Sequence, residues 1–162
     1  RALPADGEIV LTEREEDNLE RAREYLGRMG AEDLATVEVG DAVETASQYD
    51  GEFDVALLDV EKYQYVDAFE AIRESIPPGG VVAADNTMSA GRESADDTVD
   101  FEVLLRAIDD ESFDVADADL DDLGCRSTAG VLEYLGHVGD HPDFETTLLP
   151  LGDGVTVSVR LR

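Results

Sequence analysis

The chain has 162 residues, of which 40 are Asp or Glu and 12 are Lys or Arg, so its formal net charge is −28. Its length fits one domain, and Leu, Ile, Val and Phe make up about 27% of it, above the roughly 20% below which acidic chains stay unfolded. The acidic excess excludes tight binding to nucleic acid or anionic membranes, because both need basic side chains. No apolar run approaches the ~20 residues that span a bilayer. A single Cys suits a reducing compartment, so we expect a cytoplasmic protein.

The basic residues are uneven in type, since eleven are Arg and only one, Lys62, is Lys. The acidic residues are spread along the whole chain, which is typical of a surface that stays hydrated in concentrated salt. In multimolar salt the screening length falls to ~3 Å or less, so the carboxylates repel one another little. We therefore expect a protein from a halophile. The alternative is an acidic protein from a mesophile, although such proteins rarely have so few lysines.

Short apolar runs alternate with helical periodicities along the first half of the chain. The patterns predict strands at 8–13, 36–39, 53–59 and 81–85, and helices at 19–29, 41–47 and 65–76. The run 53–59 is apolar almost throughout, which indicates a strand of a parallel sheet that is covered on both faces. The alternation predicts the α/β class with a mostly parallel sheet.

The pattern changes after Asn86. Residues 89–98 and 114–126 are acidic and rich in Gly, Ser and Asp, and they flank a short predicted helix around 101–108. We expect an acidic insertion or lid at about 92–126 within a single domain that covers 1–162. A helix at 131–138 follows, and then two strands at 144–149 and 155–161 whose connection has the composition of a hairpin turn.

The first residues, 1–7, have the pattern of a helix end and a turn, with no strand before them. A doubly wound sheet needs its first strand in the middle, followed by a Gly-rich turn that holds a nucleotide. Neither G-x-G-x-x-G nor a P-loop occurs in the sequence. We expect this chain to be a fragment whose natural N-terminus lies upstream.

Two acidic residues follow the first two predicted strands, at the sheet edge where open α/β folds bind ligands. Glu13 can accept both hydroxyls of a ribose there, but it can equally serve as a negative charge near a helix N-terminus. Asp41 can contact an adenine ring, and capping the following helix is at least as plausible a role. The residues alone leave both pairs of alternatives open.

Two carboxylates and an amide follow the next two strands. Asp59 ends the third strand, and Asp85 and Asn86 end the fourth. Such an all-oxygen set suits Mg²⁺, and Mn²⁺ or Ca²⁺ are alternatives. In a chain this acidic any single Asp is ordinarily only a solvated carboxylate. The two strand-end positions stand out because each follows at least four apolar residues.

Lys62 lies three residues after Asp59 in a chain that otherwise uses Arg. A partly desolvated Lys can lose its proton and act as a base, whereas Arg stays protonated; the alternative is one exposed Lys retained by chance. His137 and His141 have the spacing of a metal pair but lack the H-E-x-x-H context, so we expect a surface role. Cys125 has no catalytic context.

Together these residues resemble the class I S-adenosylmethionine-dependent O-methyltransferases, specifically the cation-dependent catechol and caffeoyl-CoA O-methyltransferase-like family. The resemblance covers nearly the whole chain apart from about 92–126. It rests on five segments: Glu13–Asn18, Val39–Ala42, Phe53–Tyr63, Val81–Asn86 and Leu148–Val155. It implies a Rossmann-like methyltransferase fold with a C-terminal antiparallel hairpin.

The resemblance also implies roles for individual residues. It implies a divalent cation held by Asp59, Asp85 and Asn86, and proton removal by Lys62. S-adenosylmethionine would be bound by Glu13, Asp41 and Asp59. The implied partner is a small molecule with a hydroxyl acceptor, with a vicinal pair of oxygens expected from the metal geometry, and the family resemblance adds a homodimer as an expectation.

Two other interpretations of the sequence remain open. A phospho-acceptor signalling domain also combines strand-end Asp residues, Mg²⁺ and a Lys, but it ends in a helix and not in a hairpin. A non-catalytic protein that kept the fold is the third reading.

Overall fold

The computed structural model describes residues 3–4, 6–88, 99–109 and 125–162. The chain divides into two compact units, residues 1–49 and residues 50–162, and each is described by itself. Among the described residues, none of the helices is both long enough and apolar enough to cross a bilayer.

Unit 1 is a strand–helix–strand–helix segment. Its elements are β1 (Ile9–Glu13), α1 (Glu16–Met29), a 3₁₀ turn (Glu32–Leu34), β2 (Ala35–Val39) and α2 (Ala42–Ala46). The two strands pair in parallel, with Glu13 opposite Val39 at their carboxyl ends. Helix α1 ends at Gly30, whose left-handed backbone (φ 60°) lets the last turn close on itself. The predicted elements of this unit are confirmed.

Unit 2 contains a four-stranded sheet in the order β3-β4-β6-β5. Strands β3 and β4 are parallel, whereas β6 runs antiparallel to both β4 and β5. The predicted C-terminal hairpin is therefore present. The elements are β3 (Val55–Leu58), a 3₁₀ turn (Lys62–Gln64), α3 (Tyr65–Ile72), a 3₁₀ turn (Arg73–Ser75), β4 (Val81–Asp85), α4 (Phe101–Asp109), α5 (Arg126–Gly139), β5 (Phe144–Leu149) and β6 (Val155–Arg160).

Strand β3 differs from its prediction in how it is covered. Leu58 is buried, but Val55 and Leu57 are 65% and 66% exposed. Within unit 2 the strand pairs with β4 on one side only, and helix α3 contacts it. Successive side chains of a strand point to opposite faces of the sheet. Helix α3, the described layer that contacts β3, can therefore cover only one of its two faces. The expectation of cover on both faces is wrong for this unit as described.

The core of unit 2 lies where α3 and α5 meet the sheet. Phe69 of α3 is fully buried and stacks edge-on against Phe144 of β5 and Tyr134 of α5, with ring centroids 5.0 and 6.3 Å apart. Such edge-to-face pairs add about 0.5–1.5 kcal/mol to the burial of each ring. These contacts hold α3 and α5 together against the sheet.

A second cluster joins α4 to α5. Val99 and Leu104 are buried against Val131 and Leu132. Part of the predicted insertion at about 92–126 thus contributes to the apolar core. The remainder of it, apart from the start of α5 and its cap, lies outside the described residues. The prediction that 1–162 forms one domain stays a prediction.

Candidate active site

The carboxyl ends of β3 and β4 place two acidic residues side by side. The parallel register pairs Leu58 with Ala84, so Asp59 and Asp85 come next on neighbouring strands that are about 4.8 Å apart. Asp59 is exposed, and Asp85 is half-buried. The predicted meeting of these two positions at one sheet edge is confirmed.

Asn86 turns the chain away from the strand in an unusual conformation. Among the described residues other than glycine, Asn86 alone has a positive φ, which is 52°. Asn tolerates this region better than most residues, and such backbone outliers cluster at functional sites. The backbone amide of Asn86 donates to Oδ1 of Asp85 at 2.8 Å, which orients that carboxylate.

The C-terminal hairpin supports the same strand end. The amides of Thr87 and Met88 donate to the carbonyls of Gly154 and Asp153, at 3.0 and 2.9 Å. A Cβ at Gly154 would lie 2.4 Å from Cγ of Met88, and the φ of Gly154 is +88°, so only glycine fits this approach. The turn between β5 and β6 therefore holds the segment that follows Asn86.

Lys62 lies in the 3₁₀ turn before α3 and is 8% exposed. Its Nζ donates to the Tyr65 hydroxyl at 2.5 Å and to the Asp85 carbonyl at 3.3 Å. Burial lowers the pKa of Lys62, while the carboxylates of Asp59, Asp85 and Glu61 act in the opposite direction. The structure thus brings together the predicted base and the strand-end carboxylates.

Tyr65 is a member of this cluster that the sequence pattern did not identify. Its hydroxyl donates to the Asp85 carbonyl at 2.6 Å and accepts from Lys62, and the side chain is fully buried. Burial, followed by the charges of Asp59 and Asp85, raises the pKa of Tyr65, so its hydroxyl keeps its proton. The i, i+3 spacing from Lys62 was the available signal, because such residues share one face of a 3₁₀ turn.

Helix α5 lies directly over the Lys62 segment. A Cβ at Gly130 would lie 2.6 Å from both the Lys62 carbonyl oxygen and the Tyr63 Cα. The Arg126 guanidinium stacks 3.6 Å from the Tyr63 ring centroid, within the range of a cation–π contact. The absence of a side chain at Gly130 therefore sets the distance between α5 and the turn that carries Lys62.

The donor set fits a hard divalent cation. Asp59, Asp85 and Asn86 together offer only oxygen donors, the ligand type that Mg²⁺ and Ca²⁺ prefer. Among the described residues, no group of three or more His, Cys, Asp or Glu side chains could hold a metal ion. In the predicted set, the side-chain amide oxygen of Asn86 is the third donor beside the two carboxylates.

Glu13 and Asp41 lie in unit 1, at the carboxyl ends of β1 and β2. Glu13 Oε1 accepts the amides of Arg14 and Glu15 at 2.7 and 3.0 Å, and Oε2 accepts Nδ2 of Asn18 at 3.1 Å. The bond from the Glu15 amide is the main reason that the pKa of Glu13 is lowered. These bonds place the carboxylate at the start of α1, which fits the helix-terminus role.

Asp41 caps α2, as one of the two interpretations of the sequence predicted. Its Oδ1 accepts the amides of Val43 and Glu44 at 2.9 and 3.2 Å, a cap commonly worth about 0.5–2 kcal/mol. Its Oδ2 pairs with the Arg14 guanidinium. Arg14 thus links the two strand ends of unit 1, since its own amide donates to Glu13.

The remaining candidates have packing contacts. His137 Nε2 lies 2.8 Å from Oε1 of Glu70, and the rings of His137 and His141 each lie 5.7 Å from the Phe69 ring. Cys125 caps α5, where its Sγ accepts the Thr128 amide at 3.4 Å.

Solved structures show which class of protein has this fold. The O-methyltransferase TomG from Streptomyces achromogenes, solved in complex with SAM, superposes with a TM-score of 0.74 over 100% of this chain and 66% of its own, at 24% identity. An O-methyltransferase from Bacillus cereus in complex with SAH gives a TM-score of 0.73 over 99% and 66%, also at 24% identity. The predicted Rossmann-like methyltransferase fold is confirmed.

The chain belongs to the O-methyltransferase family, whose model matches residues 1–161. Tricin synthase 1 from Oryza sativa subsp. japonica is 25% identical over 99% of this chain. Caffeoyl-CoA O-methyltransferase 2 from Populus trichocarpa is 24% identical over 99%. The chain spans 60% of the length of each of these relatives. Family membership confirms the predicted resemblance and removes the phospho-acceptor signalling domain from consideration.

Proposed function

We propose that this protein is an S-adenosylmethionine-dependent O-methyltransferase that methylates a hydroxyl of a small molecule with the help of a divalent cation. The observation that carries the proposal is the position of Lys62, whose Nζ lies 3.3 Å from the Asp85 carbonyl next to the strand-end carboxylates. Family membership and the names of the relatives support it. So does the SAM bound to TomG.

Residues at the strand ends would hold the cofactor. Glu13 would accept the ribose hydroxyls, Asp41 would lie on the adenine side, and Asp59 would be the third residue that contacts the cofactor. S-adenosylmethionine supplies a methyl group on a sulfonium sulfur, which leaves as a neutral thioether once the methyl has moved to oxygen. Holding the two reactants in line is worth ~7–11 kcal/mol at its best.

Asp59, Asp85 and Asn86 would hold the cation, and Lys62 would receive the proton of the acceptor hydroxyl at Nζ. A divalent cation lowers the pKa of a hydroxyl that it contacts. Burial lowers the pKa of Lys62, which favours the neutral amine that can accept a proton. We propose an acceptor with two neighbouring oxygens, as in a catechol, because two such oxygens can complete the coordination of the cation.

Calorimetry with S-adenosylmethionine on the full-length protein, in high salt and with or without Mg²⁺, tests the binding part of the proposal. We expect binding in both conditions. No binding in either condition would favour the non-catalytic reading.

Substitution tests the chemistry. Lys62→Ala and Asp85→Ala should abolish methyl transfer to a catechol while leaving cofactor affinity largely unchanged. Glu133→Gln is the matched control, because it removes an exposed carboxylate of α5 that is outside the proposed set; its turnover should stay close to wild type. Undiminished turnover in either Lys62→Ala or Asp85→Ala would refute the assigned roles.

A further inference from the structure

The Lys62 Nζ has two oxygen partners, the Tyr65 hydroxyl and the Asp85 carbonyl, and these two partners are hydrogen-bonded to each other. The Tyr65 hydroxyl donates its single proton to the Asp85 carbonyl at 2.6 Å. Its lone pairs then face the Lys62 Nζ, which donates to it at 2.5 Å. The neutral amine that can accept a proton has two N–H donors and one lone pair. Its two N–H groups are directed to Tyr65 and Asp85, so the lone pair has a defined direction.

The Tyr65 ring itself cannot easily move. It is fully buried, and the Tyr134 ring contacts it edge-on, with the centroids 5.3 Å apart and the planes at 74°. The Lys62 Nζ lies 4.7 Å from the Tyr65 ring centroid. The hydroxyl is therefore held in place before any ligand arrives, whereas the Lys side chain has four rotatable bonds.

We propose that Tyr65 is a positioning residue, which acts through Lys62 by holding its Nζ at the strand end beside Asp85. The inference rests on the proposed function of Lys62 and extends it to a side chain that contacts neither reactant. Removing the hydroxyl leaves the ring packing intact but takes away the closer of the two oxygens that orient Nζ. A misplacement of about 1 Å at a reacting group can cost a hundredfold in rate.

Tyr134 provides a matched control within the same core. Like Tyr65 it is fully buried, but its hydroxyl forms no well-aligned hydrogen bond among the described residues, although Ser158 is close enough to oppose the effect of burial on its pKa. Tyr65→Phe and Tyr134→Phe therefore make the same chemical change a few ångströms apart. Only the first removes a partner of Lys62.

The first measurement is steady-state methyl transfer by the full-length protein with a catechol, S-adenosylmethionine and Mg²⁺. We expect Tyr65→Phe to lower kcat about tenfold to a hundredfold, with KM for S-adenosylmethionine within about twofold of wild type. Tyr134→Phe should keep the wild-type kcat. Equal losses in both variants would overturn the inference, because the effect would then be one of core packing.

The second measurement does not depend on activity. Lys62 is the sole Lys of this chain, so reductive methylation of its amine can be followed by mass spectrometry of the peptide that contains it. Tyr65→Phe should raise the labelling rate of Lys62 several-fold, and Tyr134→Phe should leave it unchanged. An unchanged rate in Tyr65→Phe would show that the hydroxyl does not hold Nζ.

The two proposals can fail separately. If Lys62→Met keeps full turnover, the proposed function of Lys62 is wrong, while the labelling rates still report on the contact with Tyr65. If Lys62→Met is inactive and Tyr65→Phe is fully active, only the positioning role is wrong.

Discussion

The contact between helix α5 and the Lys62 turn leads to a prediction about Gly130. A Cβ at this position would lie 2.6 Å from the Lys62 carbonyl oxygen and from the Tyr63 Cα, and 2.7 Å from the Lys62 carbonyl carbon. Carbon atoms pack best at about 3.5–4.0 Å. All three neighbours are backbone atoms, so they cannot rotate away and the Lys62 turn must shift instead.

Gly130→Ala should therefore destabilise the protein. Overpacking of this kind costs typically about 1–3 kcal/mol, while replacing Gly by Ala inside a helix contributes about 1 kcal/mol in the opposite direction. We expect the free energy of unfolding to fall by up to about 2 kcal/mol. At about 2–4 °C per kcal/mol for a chain of this size, Tm should fall by up to roughly 8 °C.

Gly136→Ala is the matched control on the same helix. Among the described residues, no heavy atom outside the backbone of its own helix lies within 4 Å of its Cβ position, so the helix-propensity gain of about 0.5–1 kcal/mol applies. Urea unfolding of both variants in molar KCl, analysed by linear extrapolation, gives the comparison. If Gly130→Ala is as stable as Gly136→Ala, then α5 does not press on the Lys62 turn and the reasoning is refuted.

Three further predictions concern other parts of the molecule. Thr156→Val should cost about 1–3 kcal/mol in urea unfolding, because it leaves the buried Thr87 hydroxyl without its 3.0 Å partner; adding Thr87→Val should recover most of this loss, and no recovery would contradict the argument. Circular dichroism should show loss of structure at low ionic strength and retention in molar KCl, since 40 carboxylates repel one another over a longer range at low salt; equal stability in both would exclude a halophilic protein. The pKa of Glu13 is lowered, first by the Glu15 amide, so this carboxylate stabilises the fold above its unfolded-state pKa and ceases to do so as the pH falls through its folded-state pKa. Glu13→Gln should therefore reduce Tm most at pH 7, and the reduction should become smaller as the pH falls below about 4.3, the ordinary pKa of Glu. A reduction that does not change with pH would count against the hydrogen bonds.

The order and type of the secondary-structure elements could be predicted because they depend on local patterns. Short apolar runs marked strands such as β3 and β4, and Gly30 marked the end of α1, where its left-handed backbone closes the helix. The exposure of Val55 and Leu57 could not be predicted. An apolar run shows that a strand can be covered on both faces, but the neighbouring layers decide whether it is.

The candidate site divides in the same way. That Asp59 and Asp85 would meet followed from the sequence, because the ends of adjacent parallel strands share one edge of a sheet. The capping role of Asp41 was one of two open interpretations, and the hydrogen bonds to Val43 and Glu44 support it. The roles of Glu13, Asp59, Lys62 and Asn86 toward cofactor and cation remain predictions.

By itself, then, the sequence determined the α/β alternation, the strand-end acids and the position of its one Lys among them. Only the tertiary structure decided what surrounds that Lys. The Tyr65 hydroxyl reaches both Lys62 and Asp85 because β4 lies next to β3, and Gly130 meets the Lys62 backbone from 68 residues further along the chain. Contacts between residues so far apart depend on how helices and strands pack, and no local pattern records that packing.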